Sequence, residues 1–279
     1  MDRYGVMGWP VAHSKSPVMH KAAFAAAGID ADYDLIPCPP EAFDARIPQL
    51  VCEGYRGWNC TVPHKNAILK HLAEIDPEAR LAGSVNTVKV LPDGRLSGFS
   101  TDGYGLRMAL QEELGFSCDG ASILFVGAGG AASAVALHFA LAGAARISIA
   151  NRSLDKAEAI CAAIVASGAN CRSQALSPHS LTRDLVGEHD LVIQCTSLGL
   201  KPDDPMPMDP SLLAPYQLVC DMIYGLTPFR RAATALGCAT CDGRGMLLHQ
   251  GARAWEIWTG QPAPLEVMRE ALKKALGEG

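Results

Sequence analysis

Residues 121–153, "ASILFVGAGGAASAVALHFALAGAARISIANRS", constrain the fold more than any other stretch of this chain. A short apolar run, a glycine-rich turn, a helix of small residues and a second apolar run follow in that order. Gly127-Ala128-Gly129-Gly130-Ala131-Ala132 fits G-x-G-x-x-A in the strand–turn–helix setting that gives the motif its meaning. Gly127 permits the tight turn, Gly129 lets main chain approach a pyrophosphate, and Ala132 lets helix and strand pack closely. The stretch predicts a dinucleotide-binding βαβ unit.

Its second strand ends in "IANRSLDKAE", where an NAD site usually carries an Asp or Glu for the ribose 2′-hydroxyl. Here Asn151, Arg152 and Ser153 stand instead, with Lys156 a turn further on. A carboxylate would repel a 2′-phosphate, whereas the planar fork of Arg152 binds one and stacks on adenine. A cation at a helix start opposes the dipole, a conflict that an anion there resolves. NADP is therefore the expected cofactor. "HDLVIQCTS" and "LVCDMIY" continue the series of short apolar strands, so residues 104–243 read as one nucleotide-binding domain. The segment "KPDDPMPMDP" within it is a surface loop by composition.

Before it, short apolar runs alternate with helical stretches: "YGVMG", a helix over 17–27, "DYDLIPC", a helix over 41–52, and "GWNCTV". That alternation predicts a first α/β domain, 1–103, with a mainly parallel sheet, and the Asp-Gly of "LPDGRLSG" predicts a hairpin inside it. The tail, 244–279, is helical in character, with Trp255 and Trp258 on one side. At 279 residues the chain is long enough for two cores. A net charge of −5 argues against nucleic acid as a partner, and no apolar run is long enough to span a bilayer. No basic-then-apolar leader opens the sequence, so a cytoplasmic location is expected. Ten scattered cysteines, mostly within apolar runs, suit buried thiols in a reducing compartment. Cys238-Ala-Thr-Cys241 lacks a second pair at zinc spacing, so no metal site is expected and the two read as structural, with a redox role as the rival.

A nucleotide domain needs something to reduce, and the first domain carries three polar clusters in short loops: "NCTVPHK" (59–65), "SVNT" (84–87) and "STDG" (100–103). Carbonyl reduction needs a proton donor near the new alkoxide, a task for a lysine beside a carboxylate; Lys65 and Asp102 are the candidates. His64, His13 and His20 are rival acids, since imidazole titrates near neutrality. "VAHSKSPVMH" poses a separate choice. Ser16 before Pro17 reads as a helix N-cap, while Ser14 and Ser16 together with the helix amides read as an anion site.

Taken in order, "AHSKSP", "NCTVPHK", "LAGSVNT", "STDG", "VGAGGAA", "NRS" and "DGRGMLLHQG" resemble the shikimate dehydrogenase family over nearly the whole chain. The resemblance implies a substrate domain, a Rossmann-type NADP domain and C-terminal helices that return to the first domain. It implies that Ser14 and Ser16 bind the shikimate carboxylate, that Lys65 is the acid/base with Asp102 its partner, and that Thr61, Asn86 and Gln250 contact ring hydroxyls or carboxylate. Tyr224 would be a further substrate ligand. Gly127, Ala128, Gly129, Gly130 and Ala131 would hold NADP together with Asn151, Arg152, Ser153 and Lys156, and Met222 and Gly243 would lie near the nicotinamide. The expected activity is reversible NADPH-dependent reduction of 3-dehydroshikimate to shikimate, by a monomer or homodimer. Three departures stand out: Ser100 where the family usually has Asn, Gln194-Cys195-Thr196 where it has Asn-Ala-Thr, and two residues rather than four between Tyr224 and Thr227. They leave room for quinate or another ring acid as substrate. A sensor that binds NADP or a ring acid without turnover is the alternative from another class, and the intact Lys65 and Asp102 argue against it.

Overall fold

The computed structural model describes residues 1–201 and 203–277. Residue 202 of the expected loop over 201–210, and residues 278 and 279 of the tail, lie outside the described residues. The chain forms two units, residues 1–105 with 247–279, and residues 106–246.

The first unit begins β1 (Asp2–Gly8), α1 (Ser16–Ala26), β2 (Ala31–Pro37), α2 (Phe43–Cys52) and β3 (Tyr55–Cys60). It continues with β4 (Glu74–Ile75), α3 (Pro77–Ala82), β5 (Thr87–Val90), β6 (Leu96–Phe99) and the start of α4 (Asp102–Leu114). The sheet order is β2-β1-β3-β5-β6-β4. β1 runs parallel to both β2 and β3, while β5 is antiparallel to β3 and to β6. The Asp93-Gly94 turn makes the hairpin between β5 and β6, with Gly94 at φ +82°. Side chains of β1 alternate as the pleat requires. Tyr4 and Val6 join Phe24 and Tyr33 in one core, and Met7 joins Phe43, Leu50 and Trp58 in the other.

Helix α1 starts one residue earlier than the N-cap reading requires. Ser16 is its first helical residue and Lys15 occupies the cap position without a side-chain bond. Ser14 Oγ accepts the Ser16 N–H at 3.3 Å instead, while the Ser16 side chain is buried. The expected helix over 41–52 likewise opens with a separate 3-10 turn, Pro40–Ala42, before α2.

In the second unit, β7 (Ser122–Val126), α5 (Gly130–Leu141), β8 (Arg146–Ala150), α6 (Leu154–Ala166) and β9 (Arg172–Leu176) form the first half. The second half comprises α7 (Arg183–Gly187), β10 (Leu191–Gln194), β11 (Leu218–Asp221), α8 (Pro228–Ala235) and β12 (Ala239–Asp242). The order is β12-β11-β10-β7-β8-β9, every neighbouring pair parallel. Strand order reverses between β7 and β10, the switch point at which doubly wound sheets bind ligands.

The chain leaves the second unit within α9 (Gly243–Thr259), followed by α10 (Leu265–Ala275). Trp255, Trp258, Met268 and Leu272 complete the core around Tyr4 and Phe24. Trp258 Nε1 donates to the Val88 carbonyl at 2.9 Å, and Gly57 leaves room for its indole ring. The C-terminal helices are thus part of the first unit.

Candidate active site

In the first unit one edge of the sheet gathers the polar clusters. The carboxyl ends of β1, β3 and β6 and the start of β5 meet there: Thr61 N–H donates to Met7 O at 2.8 Å, Cys60 N–H to Asn86 O at 2.9 Å, and Asn86 N–H to Phe99 O at 3.1 Å. Without a side chain Gly8 lets Thr61 close in, since a Cβ there would stand 2.4 Å from Thr61 Cγ2.

Lys65 lies in the turn after β3, its carbonyl accepting Val85 N–H at 2.9 Å. Asp102 is the first residue of α4, where the helix dipole favours a carboxylate. Lys65 Nζ and Asp102 Oδ2 form an ion pair with the lysine side chain 16% exposed and the aspartate 5%. Asp102 Oδ1 accepts from Asn86 Nδ2 at 2.8 Å. Asn86 Nδ2 also reaches Gln250 Oε1 at 3.4 Å, and Gln250 Nε2 donates to Leu247 O at 2.9 Å. The structure therefore brings together Lys65, Asn86, Asp102 and Gln250. A lysine held this way presents an ammonium beside a carboxylate that cannot itself donate a proton while ionised.

The rival histidines have other roles. His64 is buried, stacks on Phe43 at 4.4 Å and bonds Cys38 O through Nε2 at 2.7 Å. His20 is buried and stacks on Tyr33 at 4.4 Å, and burial pushes its pKa down to about 3. His13 is exposed in the turn before α1. Ser14 sits in that same turn with its oxygen turned to the Ser16 amide, an arrangement that leaves its proton available to an anion.

The second unit places the glycine-rich turn at the end of β7. Gly127 has φ +112°, and a Cβ there would lie 2.9 Å from Thr196 Cγ2 and 3.1 Å from main-chain atoms of Cys195 and Thr196. Gly129 is the N-cap of α5, makes no side-chain cap, and has open space where a Cβ would be. Ala132 is buried against the sheet. A helix start whose amides lack a side-chain cap, approached by bare main chain, fits a pyrophosphate. At the end of β8, Asn151 Nδ2 donates to Ser153 O at 2.7 Å, and Arg152, Ser153 and Lys156 are exposed at the start of α6. The donors and two cations of Arg152, Ser153 and Lys156 fit a 2′-phosphate, with Asp155 the carboxylate in that first turn.

Farther along the same rim, Met222 follows β11 and Gly243 follows β12. A Cβ on Gly243 would stand 2.2 Å from Met222 O. Tyr224 is 46% exposed in the shortened turn. Two buried carboxylates fix that turn. Asp221 Oδ1 accepts Ile223 N–H at 3.0 Å and Oδ2 accepts Thr227 Oγ1 at 2.5 Å, while Asp242 Oδ2 accepts Gly225 N–H at 3.1 Å and Arg230 Nη1 at 2.7 Å. Burial holds the Asp221 carboxyl above its usual range. Gln194, the departure at the end of β10, folds its carboxamide over its own turn: Oε1 accepts Thr196 N–H and Nε2 donates to Leu198 O at 2.9 Å.

Cys241 faces Cys220 across β11 and β12, and Cys238 bonds Ala214 O at 3.3 Å. All ten cysteines are free, and burial raises the Cys238 thiol. Among the described residues no cluster of His, Cys, Asp and Glu is placed to hold a metal, and no helix is long and apolar enough to cross a membrane. Tyr33 stood outside the three polar clusters, and Asn59, Thr87 and Thr101 within them had no role of their own, yet the four hydrogen-bond to one another and to Asn86. The available signal was Asn59 within an apolar strand, since a buried amide must find partners.

A doubly wound parallel sheet with a glycine-rich turn that fits a phosphate, and a unit carrying a part-buried Lys–Asp pair, define a pyridine-nucleotide-dependent dehydrogenase. Family models agree: the shikimate dehydrogenase substrate binding domain matches residues 6–88, shikimate / quinate 5-dehydrogenase residues 109–199, and the shikimate 5′-dehydrogenase C-terminal domain residues 243–273. The chain is 43% identical to the shikimate dehydrogenase (NADP(+)) of Symbiobacterium thermophilum, covering 98% of this chain and 94% of the relative. It superposes on a shikimate dehydrogenase solved with NADP+ at a TM-score of 0.88, 37% identity, 98% of this chain and 95% of the other. It also superposes on the quinate dehydrogenase of Corynebacterium glutamicum, solved with NAD, at 0.89, with 29% identity and 98% and 99% covered. The chain belongs to the shikimate dehydrogenase family.

Proposed function

We propose that this protein catalyses the reversible NADPH-dependent reduction of 3-dehydroshikimate to shikimate, with Lys65 as its acid/base. The observation that carries the reading is the Lys65–Asp102 pair held by Asn86. The Lys65 ammonium gives a proton to the carbonyl oxygen as it becomes a hydroxyl, and takes it back in the oxidative direction. Asp102 holds the lysine side chain in place and, as an acceptor, takes no proton from it. Asn86 and Gln250 offer carboxamides to ring hydroxyls, and Ser14, Ser16 and Thr61 offer hydroxyls to the ring carboxylate. Residues 127–131 hold the pyrophosphate through main-chain amides and the start of α5. Asn151, Arg152, Ser153 and Lys156 hold the 2′-phosphate, and Met222 and Gly243 border the nicotinamide at the carboxyl ends of β11 and β12. When bound, NADPH supplies the hydride. Ten cysteines scattered mostly within apolar runs suit a reducing compartment, the cytoplasm, as the setting.

Ser100 favours a second reading within the same class. Its hydroxyl, two positions before Asp102 in sequence, is buried with no partner among the described residues, where the family usually has a larger amide. That change at the catalytic edge favours a different ring acid, quinate first. The test is kcat/KM for shikimate and quinate, each with NADP and NAD. A preference for shikimate with NADP upholds the main reading; a preference for quinate with NAD overturns it.

A further inference from the structure

We infer that Tyr33, Asn59 and Thr87 form a one-directional hydrogen-bond chain that positions Asp102, and through it Lys65, for the acid/base role proposed above. The chain is set by two amides whose orientation the main chain fixes. Asn59 Nδ2 lies 3.0 Å from the Asn86 carbonyl, which can only accept, so Asn59 Oδ1 must itself be an acceptor. Tyr33, 2.6 Å from that oxygen, therefore donates. Thr101 N–H donates to Asn86 Oδ1 at 2.8 Å, so the other end of that amide is the donor.

The links between follow. Asn59 Nδ2 donates to Thr87 Oγ1 at 3.0 Å, and the hydroxyl passes its own proton to Asn86 Oδ1 at 3.1 Å. Asn86 Nδ2 then donates to Asp102 Oδ1 at 2.8 Å. Along this run each link points towards the carboxylate, which offers only lone pairs, while Thr101 Oγ1 forms a side branch 3.0 Å from Asn86 Nδ2 and 3.3 Å from Thr87 Oγ1. Tyr33, Asn59, Asn86, Thr87, Thr101 and Asp102 are all buried, so water does not compete for any link. In such surroundings successive hydrogen bonds polarise one another in the same sense. Turning Asn59 over would set its oxygen against the Asn86 carbonyl, and turning Asn86 over would set its NH2 against the Thr101 amide, so the chain has one stable polarity. Its outer end is anchored by the stack of Tyr33 on His20, with the ring planes 6° apart.

Asp102 is thereby held at both oxygens, Oδ1 by the chain and Oδ2 by Lys65. No proton needs to travel along the chain; its effect is to fix where the lysine ammonium stands. These three side chains are positioning residues, and kcat should feel their loss more than KM. Thr87→Val keeps the shape and removes the link, so kcat should fall about five- to tenfold while KM changes less than about twofold. Thr87→Ser should restore kcat. Tyr33→Phe breaks the chain at Asn59 and should lower kcat by less; because the Tyr33 hydroxyl also bonds Ser16, a carboxylate ligand proposed above, the comparison of kcat with KM is carried by Thr87.

A readout free of substrate separates this inference from the functional reading. The side-chain amide resonances of Asn86 and Asn59, followed by 1H–15N NMR, should both move in Thr87→Val and return in Thr87→Ser. Should Thr87→Val and Tyr33→Phe keep wild-type kcat, or leave the Asn86 resonances in place, the positioning role is wrong. An equal rise in KM without a change in kcat also overturns it. A wild-type protein inert towards shikimate, with Asn86 still moved by Thr87→Val, sinks the substrate reading alone and upholds the chain.

Discussion

Replacing Gly127 by alanine tests the nucleotide-binding turn on two independent grounds. The main chain there has φ +112°, outside the region that side chains adopt, and holding alanine in it costs about 1–3 kcal/mol. The new methyl would stand 2.9 Å from Thr196 Cγ2 and 3.1 Å from main-chain atoms of Cys195 and Thr196. Those atoms cannot swing aside, because Gln194 bonds both the Thr196 amide and the Leu198 carbonyl. Overpacking of this kind adds about 1–3 kcal/mol. The sum, roughly 2–6 kcal/mol, corresponds to a melting temperature lower by about 5–20 °C for a unit of this size. Gly129→Ala is the comparison, since its φ is −84° and its Cβ would meet nothing within 4 Å. It should cost about 1 kcal/mol, as alanine does at an N-cap, yet weaken NADP binding because the methyl faces the pyrophosphate. Thermal melting by circular dichroism and NADP titration by fluorescence give both numbers. Equal melting of the two variants would refute the backbone argument, and unchanged NADP affinity in Gly129→Ala would refute the placing of the pyrophosphate.

Lys65→Ala should lower kcat by about 10²–10⁴, the usual range for general acid–base groups, whereas His64→Ala should act on melting temperature; steady-state kinetics that reverse the two would move the acid to His64. Arg152→Asp should raise KM for NADP steeply and disturb NAD much less, and added salt should weaken NADP binding more than NAD binding. Ser14→Ala should raise KM for the ring acid roughly 10- to 150-fold, the equivalent of the about 1.5–3 kcal/mol that a hydrogen bond to a charged group is worth, as read from initial rates. His20 is buried neutral, with a folded pKa of about 3 against an unfolded value near 6.5, so its stabilising effect is complete above pH 6.5 and is lost as pH falls towards 3. That amounts to about 2 kcal/mol by pH 5, and denaturation of His20→Phe across the same range should lack this slope.

The features most legible in the sequence were those written by neighbours along the chain. The apolar run "YGVMG" gave away β1, and Gly127 to Ala132 named its own turn. Lys65 and Asp102 were visible as chemical types, but nothing local said that residues 37 positions apart would touch. Asn59 and Thr87 stood in the polar clusters, but their bonds, like that of Tyr33, join side chains across the sheet and were hidden for the same reason. At Ser16 the sequence misled, since a serine before proline suits a cap, yet the chain enters the helix earlier and burial claims that side chain. Gln194 looked like a damaged motif and proved to be a turn closed by its own carboxamide.

The first unit is built from two stretches that the second unit separates in sequence, and this dictates an order of events on the ribosome. Tyr4, Met19, Phe24 and Tyr33 emerge early, but the partners that cover them, Trp255, Trp258, Met268 and Leu272, are made last. Throughout synthesis of residues 106–246 the nascent chain carries an apolar face it cannot yet close, while the inserted unit has everything it needs to fold as it appears. A chain stopped at residue 246 would carry every residue of the second unit and leave its amino-terminal sheet without the helices that shelter it, a substrate for chaperones rather than for metabolism.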